Sequence, residues 1–261
     1  MEGIIMAEYH LWDVLDELRS PNYAWVDLTH SLDNNSPVWS GIPAGSVELA
    51  KTVYDWGSEM LDCLIQTFKF PGQFGTHIDF PGHFVRDAAL SEKYGVHSMI
   101  YPLCVIDITA KAKQDIHYAV TIQDILDYEN KYGTIPSGAF VALRTDWARR
   151  WPDMGNLSGT DENGADNFPG WSVDALRFLY EERGIAMNGH ETLDTDASEL
   201  AAAAGDLAAE RYVLSGGHLQ VELLANLDKV APAGAVAVVS WPNIDDATGL
   251  PCRVFAITPR V

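Results

Sequence analysis

Short apolar runs that alternate with amphipathic helices constrain the fold of this chain more than any other feature. Residues 103–108 and 139–143 are almost wholly apolar, the composition of strands buried on both faces. Residues 121–128 and 172–182 instead carry apolar side chains at helical spacing. In the first these are Ile122, Ile125 and Leu126; in the second, Val173, Leu176, Leu179 and Tyr180, with Ser172 placed to cap. Such alternation predicts a sheet covered by helices. Residues 47–54 and 61–70 read as a hairpin across Asp55-Trp56-Gly57-Ser58, and 236–239 and 254–257 as late strands. Hairpins combined with strand–helix crossovers predict an α/β fold with a mixed central sheet. No repeat or linker divides the chain, so one domain over residues 1–261 is expected, with an N-terminal helical segment at 1–20. Within that segment a helix at 10–18 carries Leu11, Val14, Leu15 and Leu18 on one face. Strands are expected at 25–29 and 185–187, and a long surface loop at 153–166, rich in Gly, Asn and Asp.

The charge balance narrows the partners. There are 17 Lys and Arg against 37 Asp and Glu, a formal net charge of −20. Nucleic-acid phosphates and anionic membrane surfaces would repel such a chain, so neither is expected and a small-molecule substrate is. No apolar run is long enough to span a bilayer. The stretch Met1–Met6 lacks the regions of a secretory signal, which makes the cytoplasm the expected compartment, with Met6 an alternative start. Cys63, Cys104 and Cys252 are widely spaced and form no CxxC pair, so neither a zinc ribbon nor a disulfide framework is indicated. Cys104, inside an apolar run, reads as a buried small hydrophobe.

The chemistry concentrates in Gly75-Thr76-His77-Ile78-Asp79-Phe80-Pro81-Gly82-His83-Phe84. On an extended backbone, side chains two apart point to the same face, so His77 and Asp79 can share a metal ion. Pro81 and the glycines then bend the chain, letting His83 return toward the same point. A hydrogen-bonded surface loop is the competing reading of these residues. Imidazole and carboxylate together suit zinc or manganese.

Residues 73–83 also resemble the cyclase family of metal-dependent hydrolases, which includes bacterial kynurenine formamidases and isatin hydrolases. The family pattern His-x-Gly-Thr-His-x-Asp-x-Pro-x-His is matched at every position except the first, where Gln73 stands. Asp27-Leu28-Thr29-His30 with the 38–43 loop resembles the N-terminal signature, and Glu191-Thr192-Leu193-Asp194-Thr195-Asp196 a further family segment. Glu222, followed by Asn226-Leu227, is similar to the family's second-metal glutamate, but Glu210 occupies the position of its histidine partner. Gln220 matches a glutamine that lies near the metal in isatin-hydrolase-like members. The resemblance implies a swivelling β/β/α fold and a homodimer or homotetramer with sites near subunit contacts.

On this resemblance the metal set is Gln73, His77, Asp79, Gln220, Glu210 and Glu222, holding Mn2+ or Zn2+. The expected reaction is hydrolysis of a carbon–nitrogen amide bond in a small, cyclic or aryl amide. His83 takes the proton of the attacking water and returns it to the leaving nitrogen. His190 and Glu191 are candidates to orient ligands. Trp39, Phe80 and His218 are candidates to contact substrate; His30, His97 and His117 read as surface residues. Two rivals remain open: a metal-dependent lyase or cyclase acting on a small carbonyl compound, and a binding protein that kept the fold without the activity.

Overall fold

The computed structural model describes residues 9–59 and 61–260; the start of the expected N-terminal segment, including Met6, lies outside them. Its strands are β1 (Tyr23–Asp27), β2 (Glu48–Tyr54), β3 (Ile65–Lys69), β4 (His77–Asp79), β5 (Ile100–Asp107), β6 (Ala119–Val120), β7 (Phe140–Arg144), β8 (Gly170–Trp171), β9 (Met187–His190), β10 (Leu219–Glu222), β11 (Ala235–Ser240), β12 (Gly249–Pro251) and β13 (Arg253–Pro259). Its α-helices are α1 (His10–Leu18), α2 (Thr109–Gln114), α3 (Ile122–Tyr132), α4 (Met154–Ser158), α5 (Val173–Arg177), α6 (Ser198–Ala204) and α7 (Ala208–Ser215).

The predicted mixed α/β architecture is the one observed. Nine strands form one sheet in the order β1-β13-β11-β5-β7-β9-β10-β4-β12. The run β5-β7-β9-β10 is parallel, built by helical crossovers; the flanks are antiparallel. Alternation along β5 divides the core in two. Leu103 and Val105 join Phe140, Val221 and Val254 on one face, while Cys104 and Ile106 join Val141 and Leu143 under α3, α5 and α7 on the other. Each fully buried Leu, Ile or Phe here contributes about 1.5–3 kcal/mol.

The helix starts follow side-chain capping. Thr121 and Asp124 form a reciprocal capping box at the start of α3, and Ser172 Oγ accepts the Ala175 N–H at 3.2 Å to open α5. The 172–182 helix is regular only through Arg177 and continues as a π-helical turn to Glu182. The 153–166 segment is not all loop. Asp153 Oδ1 accepts the Asn156 N–H at 2.9 Å and starts α4, a local cap that composition alone concealed. The predicted apolar face of α1 forms but is left largely open: Leu15 and Leu18 are half-buried, no residue of α1 is fully buried, and Leu11 is 80 % exposed. Cys104 and Cys252 are buried, and all three cysteines are unpaired.

Candidate metal centre

β4 lies between β10 and β12 and carries the site. Antiparallel pairing sets His77 opposite Glu222 and Asp79 opposite Gln220. On the other side Gly249 faces Asp79. Directly paired residues point to the same face, so the register alone gathers His77, Asp79, Gln220 and Glu222. All four are buried. Donor atoms from His77, Asp79 and Glu222 lie within 4.8 Å of one another, the geometry of a small-ion site. His77 Nε2 is 3.5 Å from Asp79 Oδ2 and 3.4 Å from Glu222 Oε2.

Local backbone conformation aims the imidazole. Gly75 has φ +61°, the left-handed region that glycine enters without cost. Its carbonyl then lies 2.8 Å from His77 Nδ1. A carbonyl oxygen can only accept, so Nδ1 carries the hydrogen and Nε2 is left facing the carboxylates. Thr76, on the opposite face, donates to the Leu223 carbonyl at 2.6 Å and accepts from the His30 N–H at 3.0 Å, anchoring the strand start.

These residues fit a divalent ion on three observations. His77 Nε2 is buried and has no hydrogen-bond partner. The ion pairs of Asp79, Glu222 and Glu210 among the described residues are all with histidine, so no lysine or arginine neutralises the cluster. A Cβ at Gly249 would collide with Gln73 Nε2 and stand 2.8 Å from Asp79 Oδ1, so the position across from Asp79 admits no side chain. Buried carboxylates without a counter-charge are costly unless they coordinate metal. Burial alone would pull the His77 imidazole down, but the Asp79 and Glu222 carboxylates outweigh it and raise it to about 9. Asp79 is held at about 2, its own burial being overcome by His77, His83 and the Gln73 amide. Burial and Asp79 push Glu222 well above the usual carboxylate range. Both upward shifts favour positive charge among these side chains, which a cation would supply.

Gln73 Nε2 donates to Asp79 Oδ1 at 3.1 Å, and Gln220 Nε2 faces Asp79 Oδ2 at 3.3 Å and Glu222 Oε1 at 3.1 Å. Through their N–H groups both amides steady the carboxylates as donors. Thr195 Oγ1 donates to Gln220 Oε1 at 2.7 Å, fixing that orientation. His190 Nε2 stands 3.1 Å from Thr195 Oγ1 and 3.5 Å from Glu222 Oε1, behind the cluster. Thr195 went unnoticed as an individual residue. The signal was available: a polar run directly after a parallel strand, at the carboxyl end where α/β sheets place their ligands.

His83 ends the Pro81–His83 turn, with burial lowering its imidazole and Asp79 opposing that shift. Glu210 Oε1 lies 3.9 Å from His83 Nε2 and stands outside the three-residue metal group. Three expectations are corrected. Phe80, one residue past Asp79, points to the opposite face, fully buried against Tyr94 and Trp241, and walls no pocket. His218 stacks on Tyr180 at 3.9 Å in a cleft of about 590 Å³ that none of His77, Asp79 and Glu222 lines. His30 is not a surface residue: its ring stacks on Trp151 at 4.5 Å and its Nε2 is buried without a partner. Trp39 is 67 % exposed, its ring folded over Gly41.

Residues 26–197 match the family model Cyclase ("Putative cyclase"). The chain belongs to this family. As a Cyclase-family chain it is 29% identical over 190 residues to the isatin hydrolase of Roseibium aggregatum, covering 71% of this chain and 72% of that protein. It is 25% identical over 232 residues to the kynurenine formamidase of Bacillus cereus, covering 88% and 95% of the two. The crystal structure of an isatin hydrolase bound to the product analogue thioisatinate matches with a TM-score of 0.87 at 26% identity, over 97% of this chain and 99% of that one.

Glu191 follows His190 at the end of β9, contacts Thr145 rather than the His77, Asp79 and Glu222 side chains, and carries a pH signature. Its Oε2 accepts from Thr145 N at 2.7 Å and Thr145 Oγ1 at 3.0 Å. Burial nevertheless raises its carboxyl from the ordinary 4.5 to about 7. A raised folded-state value means stability that is complete below the unfolded value and is lost as pH climbs through 7. Glu191→Gln keeps the accepting oxygen and removes the titration. Its stability over wild type is expected to grow between about pH 5 and pH 8, reaching on the order of 2 kcal/mol. Urea denaturation at both pH values measures this; an unchanging difference would show that Glu191 meets no desolvation cost.

Proposed function

We propose that this protein is a metal-dependent hydrolase that cleaves the carbon–nitrogen bond of a small amide, cyclic or attached to an aryl ring. The observation that carries the reading is the convergence of His77, Asp79 and Glu222 with His83 beside them. The names of the relatives, an isatin hydrolase and a kynurenine formamidase, support the amide class.

His77 Nε2 and one oxygen each from Asp79 and Glu222 would hold the ion, and manganese is favoured over zinc because two of those three atoms are carboxylate oxygens. When bound, a divalent ion supplies a Lewis acid for the substrate carbonyl and lowers the pKa of water to about 7. The Gln73 and Gln220 amides keep Asp79 aimed, and Gly75 keeps His77 in the tautomer that leaves Nε2 free. His83 removes a proton from the attacking water and delivers it to the leaving nitrogen.

A homodimer or homotetramer belongs to the same proposal. Among the described residues the β2–β3 hairpin pairs with no other strand, and Val53, Trp56, Ile65 and Phe68 on or beside it are exposed, an apolar surface that a second copy would cover. One domain over the whole chain is proposed as well, since the nine-stranded sheet draws strands from Tyr23 to Pro259. Cytoplasmic location is proposed on the three unpaired cysteines. Among the described residues no helix is long and apolar enough to cross a membrane.

The test is turnover of aryl formamides, lactams and cyclic imides with manganese or zinc in ¹⁸O-labelled water. Incorporation of one solvent oxygen into an acid product is expected. Product without label would indicate elimination and sink the hydrolase reading, as would failure to bind a stoichiometric ion.

A further inference from the structure

Glu210 is the carboxyl that the metal group leaves over. It sits in the first turn of α7 and is only 3 % exposed. Two contacts place it there. The Asp196 carboxylate accepts the N–H groups of Ala209 and Glu210 at 2.8 and 3.0 Å, which fixes where α7 begins. The helix in turn packs on the Pro81–His83 turn. Glu210 Oε1 is thereby carried to 3.9 Å from His83 Nε2, its one ion-pair contact among the described residues. That gap is longer than a hydrogen bond and too short for a bridging water. A small rotation of the His83 ring, whose side chain is 31 % exposed, closes it.

Charge explains why such a residue is needed. With His77 neutral, Asp79 and Glu222 carry two negative charges that one divalent ion balances. Burial and the Glu222 and Asp79 carboxylates push Glu210 well above the usual carboxylate range, so it ionises only with a cation beside it. His83 has the complementary difficulty, since on taking a proton from water it becomes a cation facing another cation. A carboxylate on its far side removes both costs at once. We propose that Glu210 is the positioning residue of His83: it holds the ring and offsets the charge the ring gains while the proton passes from water to the leaving nitrogen, and it does not ligate a metal. The proton Glu210 stabilises is returned in full, so the carboxylate is unchanged over a cycle.

This inference rests on the hydrolase reading for the role of His83, and two measurements separate the fates of the two. In the zinc-loaded protein, ¹⁵N-edited NMR reads the His83 ring. A ring N–H signal displaced by the carboxylate is expected in wild type, and a moved signal in Glu210→Gln. In turnover, Glu210→Gln is expected to lower kcat by about 10- to 100-fold with KM and metal content unchanged. In a His83→Ala background the same substitution should cost nothing more, because the effect acts through the ring. An additive loss, a lost metal equivalent or an unmoved ring signal would overturn the pairing. If no amide is turned over but the signal moves, the hydrolase reading fails and the pairing stands; if amides are turned over and the signal stays, the pairing alone fails. Should Glu210→Gln not fold, Glu210→Asp carries the same measurements, with the carboxylate withdrawn by one methylene.

Discussion

Glu222→Gln is expected to change the protein in two opposite directions: weaker metal binding and a more stable metal-free fold. The variant keeps the size of the side chain but removes a charged ligand atom facing His77 Nε2 at 3.4 Å. Loss of a group that merely orients a ligand costs about 10- to 100-fold in affinity or activity, so loss of a ligand charge should exceed ~100-fold in both. The metal-free protein responds the other way. Burial and the Asp79 carboxylate push Glu222 well above the ordinary carboxylate range, so the metal-free fold loses stability as pH climbs past the ordinary value. Glutamine reproduces the protonated state and carries no such cost. Thermal melting after chelation should therefore run higher in Glu222→Gln than in wild type, while added manganese or zinc should raise wild type and leave the variant nearly unmoved. Equal metal content in the two proteins would rule out this cluster as the ion site, and a lower melting temperature for the chelated variant would show that Glu222 meets no net burial cost.

His83→Ala should separate chemistry from metal binding. The residue ligates nothing in the three-residue group, so ion content is expected to match wild type. Turnover should fall by about 10²–10⁴-fold, the usual contribution of a positioned acid–base group. KM should change little, since the proton transfer is made only in the transition state. Metal analysis beside steady-state kinetics on the best amide of the panel decides it. Full turnover by the variant would move the base elsewhere in the cluster, whereas loss of both metal and activity would make His83 a ligand.

The particular residues explain which parts of the molecule were readable. His77 and Asp79 were placed together by the two-residue period of a strand, a local property that needs no partner. The same period, applied one residue further, sends Phe80 into the core and away from the metal centre. Ser172 announced its helix because a cap acts within four residues. Asp153 acted over the same distance, yet the Gly- and Asn-rich composition around it masked a one-turn helix. The apolar face of α1 was readable as a pattern but not as a contact, because nothing in the pattern names the surface that covers it.

Sequence by itself determined the mixed α/β class, the helix start at Ser172 and the His77–Asp79 pair, since periodicity, capping and alternation all operate over a few neighbouring residues. Only tertiary structure decided that Glu222 faces His77, that Gly249 leaves Asp79 room and that Glu210 stands at His83. Those placements depend on the register between strands distant in the chain and on how α7 packs against the turn after β4. A one-residue slip in that register would turn the carboxylates to the opposite face, and no local signal fixes it.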